Sequence, residues 1–355
     1  MLHLTYTELL GVLAFVLAGL VVYVLTPFMA SFAHHVGVVD DPVEERRMHL
    51  TATPLLGGLV LYLAVVVSVI LLLPFNGSVR ALISGGTAIA LVGLVDDLKE
   101  IRPSVKFAGQ LAATGLALLF NVRMETLSLP FLEGSIHLPL WASIIVTLLW
   151  FVAIINMVNF IDGLDGLAAG VCAISSITFG IIAFSLGRWE TGVVAVTLAG
   201  ATLSFLRFNF HPASIFMGDT GSMFLGFVLG VISVEGVMKS TATVALILPL
   251  LVLGVPFIDL FLIVSRRVRR GVPFYSAGQD HVHHDLVLVA GFSQRKSVLL
   301  LYGWCLLLNA TALAMAARSL VATIICGAAS VLATVFLARL LRHYRLAASR
   351  GETAA

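Results

Sequence analysis

The stretch IFMGDTGS, residues 215–222, places a lone carboxylate, Asp219, among Gly218, Thr220, Gly221 and Ser222. Apolar runs lie on both sides, at residues 190–206 and 222–238. A charge at the edge of a lipid-embedded helix is costly without a partner, so it marks a functional site. Small residues around it are expected to leave backbone amides open to an anion and to let a bulky ligand approach. The composition sets the surroundings of this stretch. Of 355 residues, 59% are hydrophobic and 11% charged, with mean hydropathy +1.06, against about 25% charged in soluble domains. This excludes an ordinary soluble enzyme and predicts one all-α, polytopic membrane domain over residues 1–355.

Further apolar runs lie near residues 7–29, 55–73, 79–95, 107–121, 140–158, 166–186, 241–264, 298–316 and 320–340. With the two that flank Asp219 they predict eleven transmembrane helices, the last two joined in a tight hairpin at Arg318 and Ser319. The N-terminus lacks a basic region ahead of its apolar run, so that run is expected to stay as a helix. Alternate connections, with the C-terminal tail, hold 16 of the 21 basic residues. That asymmetry puts them in the cytoplasm, with the N-terminus outside and the C-terminus inside. Residues 122–139 alternate weakly and predict a small extracytoplasmic hairpin. Cys172, Cys305 and Cys326 fall in apolar runs without paired spacing and read as inert thiols. No internal repeat supports a transporter plan; the net charge of +2 says nothing about partners, and no nucleic acid is expected among them.

The unusual polar residues all fall on the predicted cytoplasmic side. Residues 40–58 (DDPVEERRMHLTATPLLGG) carry Arg46, Arg47 and His49 between Pro42 and Pro54. Asp96 and Asp97 sit at the C-terminal, negative end of their helix, where packing alone would favour cations. They are either a metal or proton site, or a solvated cap paired with Lys99 or Arg102. In NMVNFIDGLDG (156–166), Asn156, Asn159, Asp162 and Asp165 recur every third residue, which predicts a half-face of hard oxygen ligands suited to Mg²⁺. Residues 266–270 carry four Arg, which read in part as headgroup anchors. His281, His283 and His284 lack a fourth donor at zinc spacing and are expected to meet a phosphate. Carboxylates that hold a metal, opposed by cations that hold phosphate oxygens, are what phosphoryl transfer requires.

The order of these motifs resembles the polyprenyl-phosphate N-acetylhexosamine-1-phosphate transferase family of WecA/TagO/MraY type, a glycosyltransferase family 4-like region over about residues 30–290. The motifs are residues 40–58, VDDLKEIRPSVKFAGQ (95–110), NMVNFIDGLDGL (156–167), IFMGDTGS and GVPFYSAGQDHVHH (271–284). The resemblance implies transfer of a sugar-1-phosphate from a UDP-N-acetylhexosamine to polyprenyl phosphate in a prokaryotic inner membrane, with Mg²⁺ or Mn²⁺, to start a cell-envelope polysaccharide. It implies Asp219 as the principal metal ligand with Asn159 beside it. Asp96, Asp97, Asp162 and Asp165 become the catalytic carboxylates. Arg47, His49, Lys106, Asn156, Arg270, His281, His283 and His284 become substrate-binding residues. The HxHH form resembles the WecA/TagO branch and its UDP-GlcNAc donor, with MurNAc-pentapeptide transfer as the alternative. A carboxylate usual three residues before the first His is replaced here by Gly278, with Asp280 nearby. Oligomeric state, a homodimer included, is left open.

Overall fold

The computed structural model of the chain describes residues 6–40, 53–128, 135–239, 246–271 and 281–349. Its helices, in order, are α1 (Tyr6–Val36), α2 (Gly57–Leu72), α3 (Gly77–Lys99), α4 (Pro103–Leu119), α5 (Leu140–Ile161), α6 (Leu167–Ser185) and α7 (Trp189–Asn209). There follow α8 (Gly218–Ile232), α9 (Ile247–Val252), α10 (Gly254–Arg270), the single turn α11 (Val282–His284), α12 (Gln294–Ala316) and α13 (Leu320–Ser349). A π-helical segment, Ser233–Met238, prolongs α8, and another, Asp285–Val289, follows α11. Among the described residues eight helices are long and apolar enough to cross a membrane: α1, α3, α5, α6, α7, α8 with its extension, α12 and α13. Of the other expected spans, α2 has 16 residues and α4 has 17, and the one over 241–264 is broken.

The break has a covalent cause. Pro256 has no N–H to give the Val252 carbonyl, four residues earlier, so the helix divides at Leu253. Ser175 Oγ of α6 and Asn309 Nδ2 of α12 donate to that carbonyl instead, at 2.9 and 3.1 Å. Backbone groups inside a membrane must find such partners. Removing both, as Ser175→Ala with Asn309→Ala, is expected to cost about 1–3 kcal/mol of stability. A detergent melting curve checks this.

Burial ranks the helices. The span Gly218–Met238 is 94% buried and that of α13 only 11%, so α8 is the axis of the bundle and α13 lies at its rim. Packed on α8 are α2, α3 and α5. Val39–Asp40 (β1) pairs antiparallel with Thr53–Pro54 (β2). The hairpin expected within 122–139 is present as Thr126–Ser128 (β3) against Ser135–His137 (β4). Arg318, at φ 54°, turns α12 into α13, as their spacing predicts.

Candidate active site

The site is built around the first turn of α8. Glycines let that turn come close to its neighbours. A β-carbon at Gly58 would lie 2.2 Å from Gly221 N, and one at Gly93 would lie 2.5 Å from Thr220 N. The chain leading into the turn is tied to the start of α2, with Phe216 N donating to Pro54 O (2.8 Å) and Gly57 N to Phe216 O (2.9 Å).

Asp97 closes the turn from α3. Its Oδ1 accepts from Asp219 N at 2.7 Å, and its Oδ2 from Thr220 N at 3.0 Å and Thr220 Oγ1 at 2.6 Å. The first N–H groups of a helix are orphaned and carry its positive dipole end. Asp97 therefore caps α8 from another helix, which accounts for an acidic pair at the end of α3. This corrects the expectation that these amides stand open to an anion: Asp97 takes both.

Lys106, one turn into α4, bridges the remaining carboxylates. Its Nζ donates to Asp96 Oδ2 at 3.0 Å and to Asp219 Oδ2. Asp96 Oδ1 accepts from Ile101 N at 2.8 Å. Neither Asp is the solvated cap considered above. Asn159 Nδ2 donates to Asp219 Oδ1 (2.6 Å) and Ser222 Oγ (2.9 Å).

The four-residue series of α5 is divided. The helix ends at Ile161, so Asn156 and Asn159 lie on it while Asp162 and Asp165 lie in the turn toward α6. Asp162 leaves the helical backbone (φ −78°, ψ 46°), and Gly166, at φ 79°, leads into α6. The predicted helical half-face thus holds for the amides and not for the carboxylates. Asn156 and the buried Gln110 exchange amide hydrogen bonds at 2.7 and 3.2 Å, a closed pair between α4 and α5. Asp165 Oδ2 accepts from His211 Nδ1 (2.7 Å) and Ala213 N (3.0 Å). Asn209, buried, accepts from Gly166 N and donates to Ile215 O. It locks the 162–166 turn to the segment leading into α8. Burial above all, with Asp97 and Asp165 nearby, pushes the Asp162 carboxyl up to about 7.

The histidines are held by a residue outside the sequence reading's candidates. Asp259 of α10 accepts from His281 Nδ1 through Oδ2 and from Val282 N through Oδ1, each at 2.8 Å. A carboxylate within an apolar run is the signal that could have found it. Asp259, His281 and His283 bring donor atoms within 4.8 Å of one another, but both Asp259 oxygens are committed to this cap. His283 is 2% exposed, and its Nε2 lies where a β-carbon on Gly163 would approach to 2.3 Å. The histidine loop is thereby seated on the 162–166 turn. Burial first, then His284 and His281, holds His283 well below the usual imidazole value. His284 is lowered as well, by burial and then His281.

A cavity of about 360 Å³ joins these parts. Asp97, Asn159, Asp162, Asp165, Asp219 and His284 reach it, and Asp40, Leu55, Asn209 and Phe216 are among the rest of its wall. Lys106 and Asp96 adjoin it through Asp219, while Asn156 is engaged with Gln110 and His281 with Asp259. Arg47, His49, Gly278 and Asp280 lie outside the described residues, as does the Arg270 side chain, although Arg270 ends α10. The side chains that reach the cavity are carboxylates and carboxamides with an imidazole to one side, groups whose oxygens suit a hard divalent cation. Lys106 already places positive charge between Asp96 and Asp219. Asn159 has its Nδ2 toward Asp219, so its oxygen joins such a cation only after the amide turns over.

Residues 79–237 match the glycosyl transferase family 4 model. The probable undecaprenyl-phosphate N-acetylglucosaminyl 1-phosphate transferase of Bacillus subtilis is 36% identical over 292 residues, 82% of this chain and 81% of its own length. The decaprenyl-phosphate N-acetylglucosaminephosphotransferase of Mycobacterium leprae is 37% identical, over 81% and 79%. The phospho-N-acetylmuramoyl-pentapeptide-transferase of Moorella thermoacetica reaches 36%, over 62% of this chain and 73% of its own. Matched at this identity over four-fifths of its length, and with the motif carboxylates gathered at one cavity, the chain belongs to glycosyl transferase family 4, the polyprenyl-phosphate N-acetylhexosamine-1-phosphate transferases.

Proposed function

We propose that this protein transfers GlcNAc-1-phosphate from UDP-GlcNAc to undecaprenyl phosphate on the cytoplasmic face of a prokaryotic inner membrane. UMP is released, and the lipid-linked pyrophosphoryl sugar starts a cell-envelope polysaccharide. The observation that carries this reading is the cavity where Asp97, Asn159, Asp162, Asp165, Asp219 and His284 meet. An oxygen of the lipid phosphate attacks the β-phosphorus of the sugar nucleotide. The new P–O bond forms as the bond from that phosphorus to the bridging oxygen breaks, and UMP leaves with that oxygen.

Asp219 and Asn159 would hold Mg²⁺ or Mn²⁺, which when bound neutralises and orients the pyrophosphate. Lys106 meets the lipid phosphate beside Asp96. His284, on the other wall, meets the sugar nucleotide's phosphates, and His283, buried on Gly163 with its ring 4.3 Å from that of His284, backs it. A phosphate monoester is already largely ionised near neutral pH, with a second pKa of about 6, so the reaction needs no strong base. Asp97, with both oxygens on α8, serves as a positioning group in this scheme.

The relatives' coverage favours the GlcNAc donor over MurNAc-pentapeptide: 82% of this chain against 62%, at equal identity. The test is a donor panel with purified protein. UMP is expected from UDP-GlcNAc only when polyprenyl phosphate and Mg²⁺ are both present, with loss of at least about 10²-fold on chelation. Turnover of UDP-MurNAc-pentapeptide instead would move the protein to the other branch. UMP release without the lipid would overturn the transfer itself.

A further inference from the structure

A buried charge cluster ties the histidine loop to the far end of the chain. Asp285 follows His284 directly and is 3% exposed. Its Oδ1 accepts from Arg345 Nε at 3.1 Å, and its Oδ2 from Arg345 Nη2 at 2.5 Å and Arg266 Nη1 at 3.2 Å. The two Arg345 contacts form the parallel fork that guanidinium and carboxylate favour. Arg345 lies in the last turns of α13, a helix otherwise so exposed that only 11% of the residues in its most apolar stretch are buried. Those turns grip the protein: Leu341 and Leu337, one and two turns before Arg345 on the same face, are buried, and Tyr344 meets Phe292 edge-on at 6.1 Å.

A buried ion pair adds little net stability over an apolar contact, and its better-attested use is to select one arrangement. Leu337 and Leu341 already seat the helix, so the fork's effect falls on what Asp285 is joined to. That is the turn whose His283 packs on Gly163 and whose His284 lines the cavity. We propose that Arg345 is a positioning residue that, through Asp285, fixes His283 and His284 against the 162–166 turn, so that the C-terminal helix completes the wall that meets the sugar nucleotide's phosphates. The last clause rests on the function proposed above; the positioning does not.

The test uses full-length protein in detergent, with Arg345→Ala, Arg345→Lys, Asp285→Asn and, as a control on an exposed position of the same helix, Arg342→Ala. In Arg345→Ala the KM for UDP-GlcNAc is expected to rise about tenfold, while that for polyprenyl phosphate changes less than about twofold. Arg345→Lys falls between, since it keeps the charge and loses the fork. Without substrate, modification of His283 and His284 by diethyl pyrocarbonate, read by peptide mass spectrometry, is expected to quicken in Arg345→Ala and Asp285→Asn and not in Arg342→Ala. Unchanged histidine reactivity, or both KM values moving together, overturns the proposal. Should Arg345→Ala not fold, Arg345→Lys and Asp285→Asn decide by the same readouts. If the unmodified protein releases no UMP from UDP-GlcNAc, the functional reading falls alone and the labelling still judges Arg345.

Discussion

Asp97→Asn is expected to lose about 10²- to 10³-fold in turnover at every pH from about 6 to 9, and to melt earlier than the unmodified protein. The reason is the cap. Both Asp97 oxygens accept hydrogen bonds, from Asp219 N, Thr220 N and Thr220 Oγ1. Asparagine keeps one acceptor and turns an N–H₂ toward a backbone N–H, so a charge-assisted bond worth about 1.5–3 kcal/mol is replaced by a clash of donors. The first turn of α8 then shifts, and Asp219 with it; a misplacement of about 1 Å suffices for a 10²-fold loss. Thr220→Val, which removes only the hydroxyl contact, is expected to show a loss of about tenfold. A pH–rate profile with parallel melting curves checks the series. Recovery of full Asp97→Asn turnover at high pH would mean that Asp97 removes a proton, and the positioning role would be wrong.

Gly58→Val is expected to be as severe, and to act first on folding. The added β-carbon would lie 2.2 Å from Gly221 N and 2.4 Å from Met217 O, which are backbone atoms that no rotamer change can clear. Overpacking of this kind costs about 3 kcal/mol or more, and whatever folds carries α8 displaced from α2. Gly93→Val meets the same turn from α3 and should behave alike. Gly115 of α4 faces open space within 4 Å, so Gly115→Ala serves as the control, not destabilised and gaining up to about 1 kcal/mol from helix propensity. Thermal unfolding in detergent, with UMP release on the folded fraction, separates the two effects. Gly58→Val protein that melts and turns over normally would show that the close approach of α2 to α8 is not needed.

The apolar runs were enough to place nearly every helix, because a lipid-facing helix must be apolar over its whole length and its ends must carry the polar groups. The same rule drew attention to Asp96, Asp97, Asp162, Asp165 and Asp219, each a carboxylate where lipid makes one costly. It misjudged the run over 241–264, since hydropathy does not register that Pro256 frees a carbonyl which Ser175 and Asn309, far away in sequence, then satisfy. It also treated the series 156–165 as one helix face, although α5 ends at Ile161, between its amides and its carboxylates.

What the amino-acid sequence determined by itself was a helical membrane protein with carboxylates where lipid makes them costly, because composition and run length are local or summed properties. Which group faces which was decided only in three dimensions. Asp97 caps a helix more than a hundred residues away, Lys106 lies between Asp96 and Asp219, Asp259 holds the histidine loop, and Arg345 reaches Asp285. Such pairings depend on how closely helices approach and on which turns they bring level. Those distances are set by glycines and packed side chains on other helices, and no spacing along the chain encodes them.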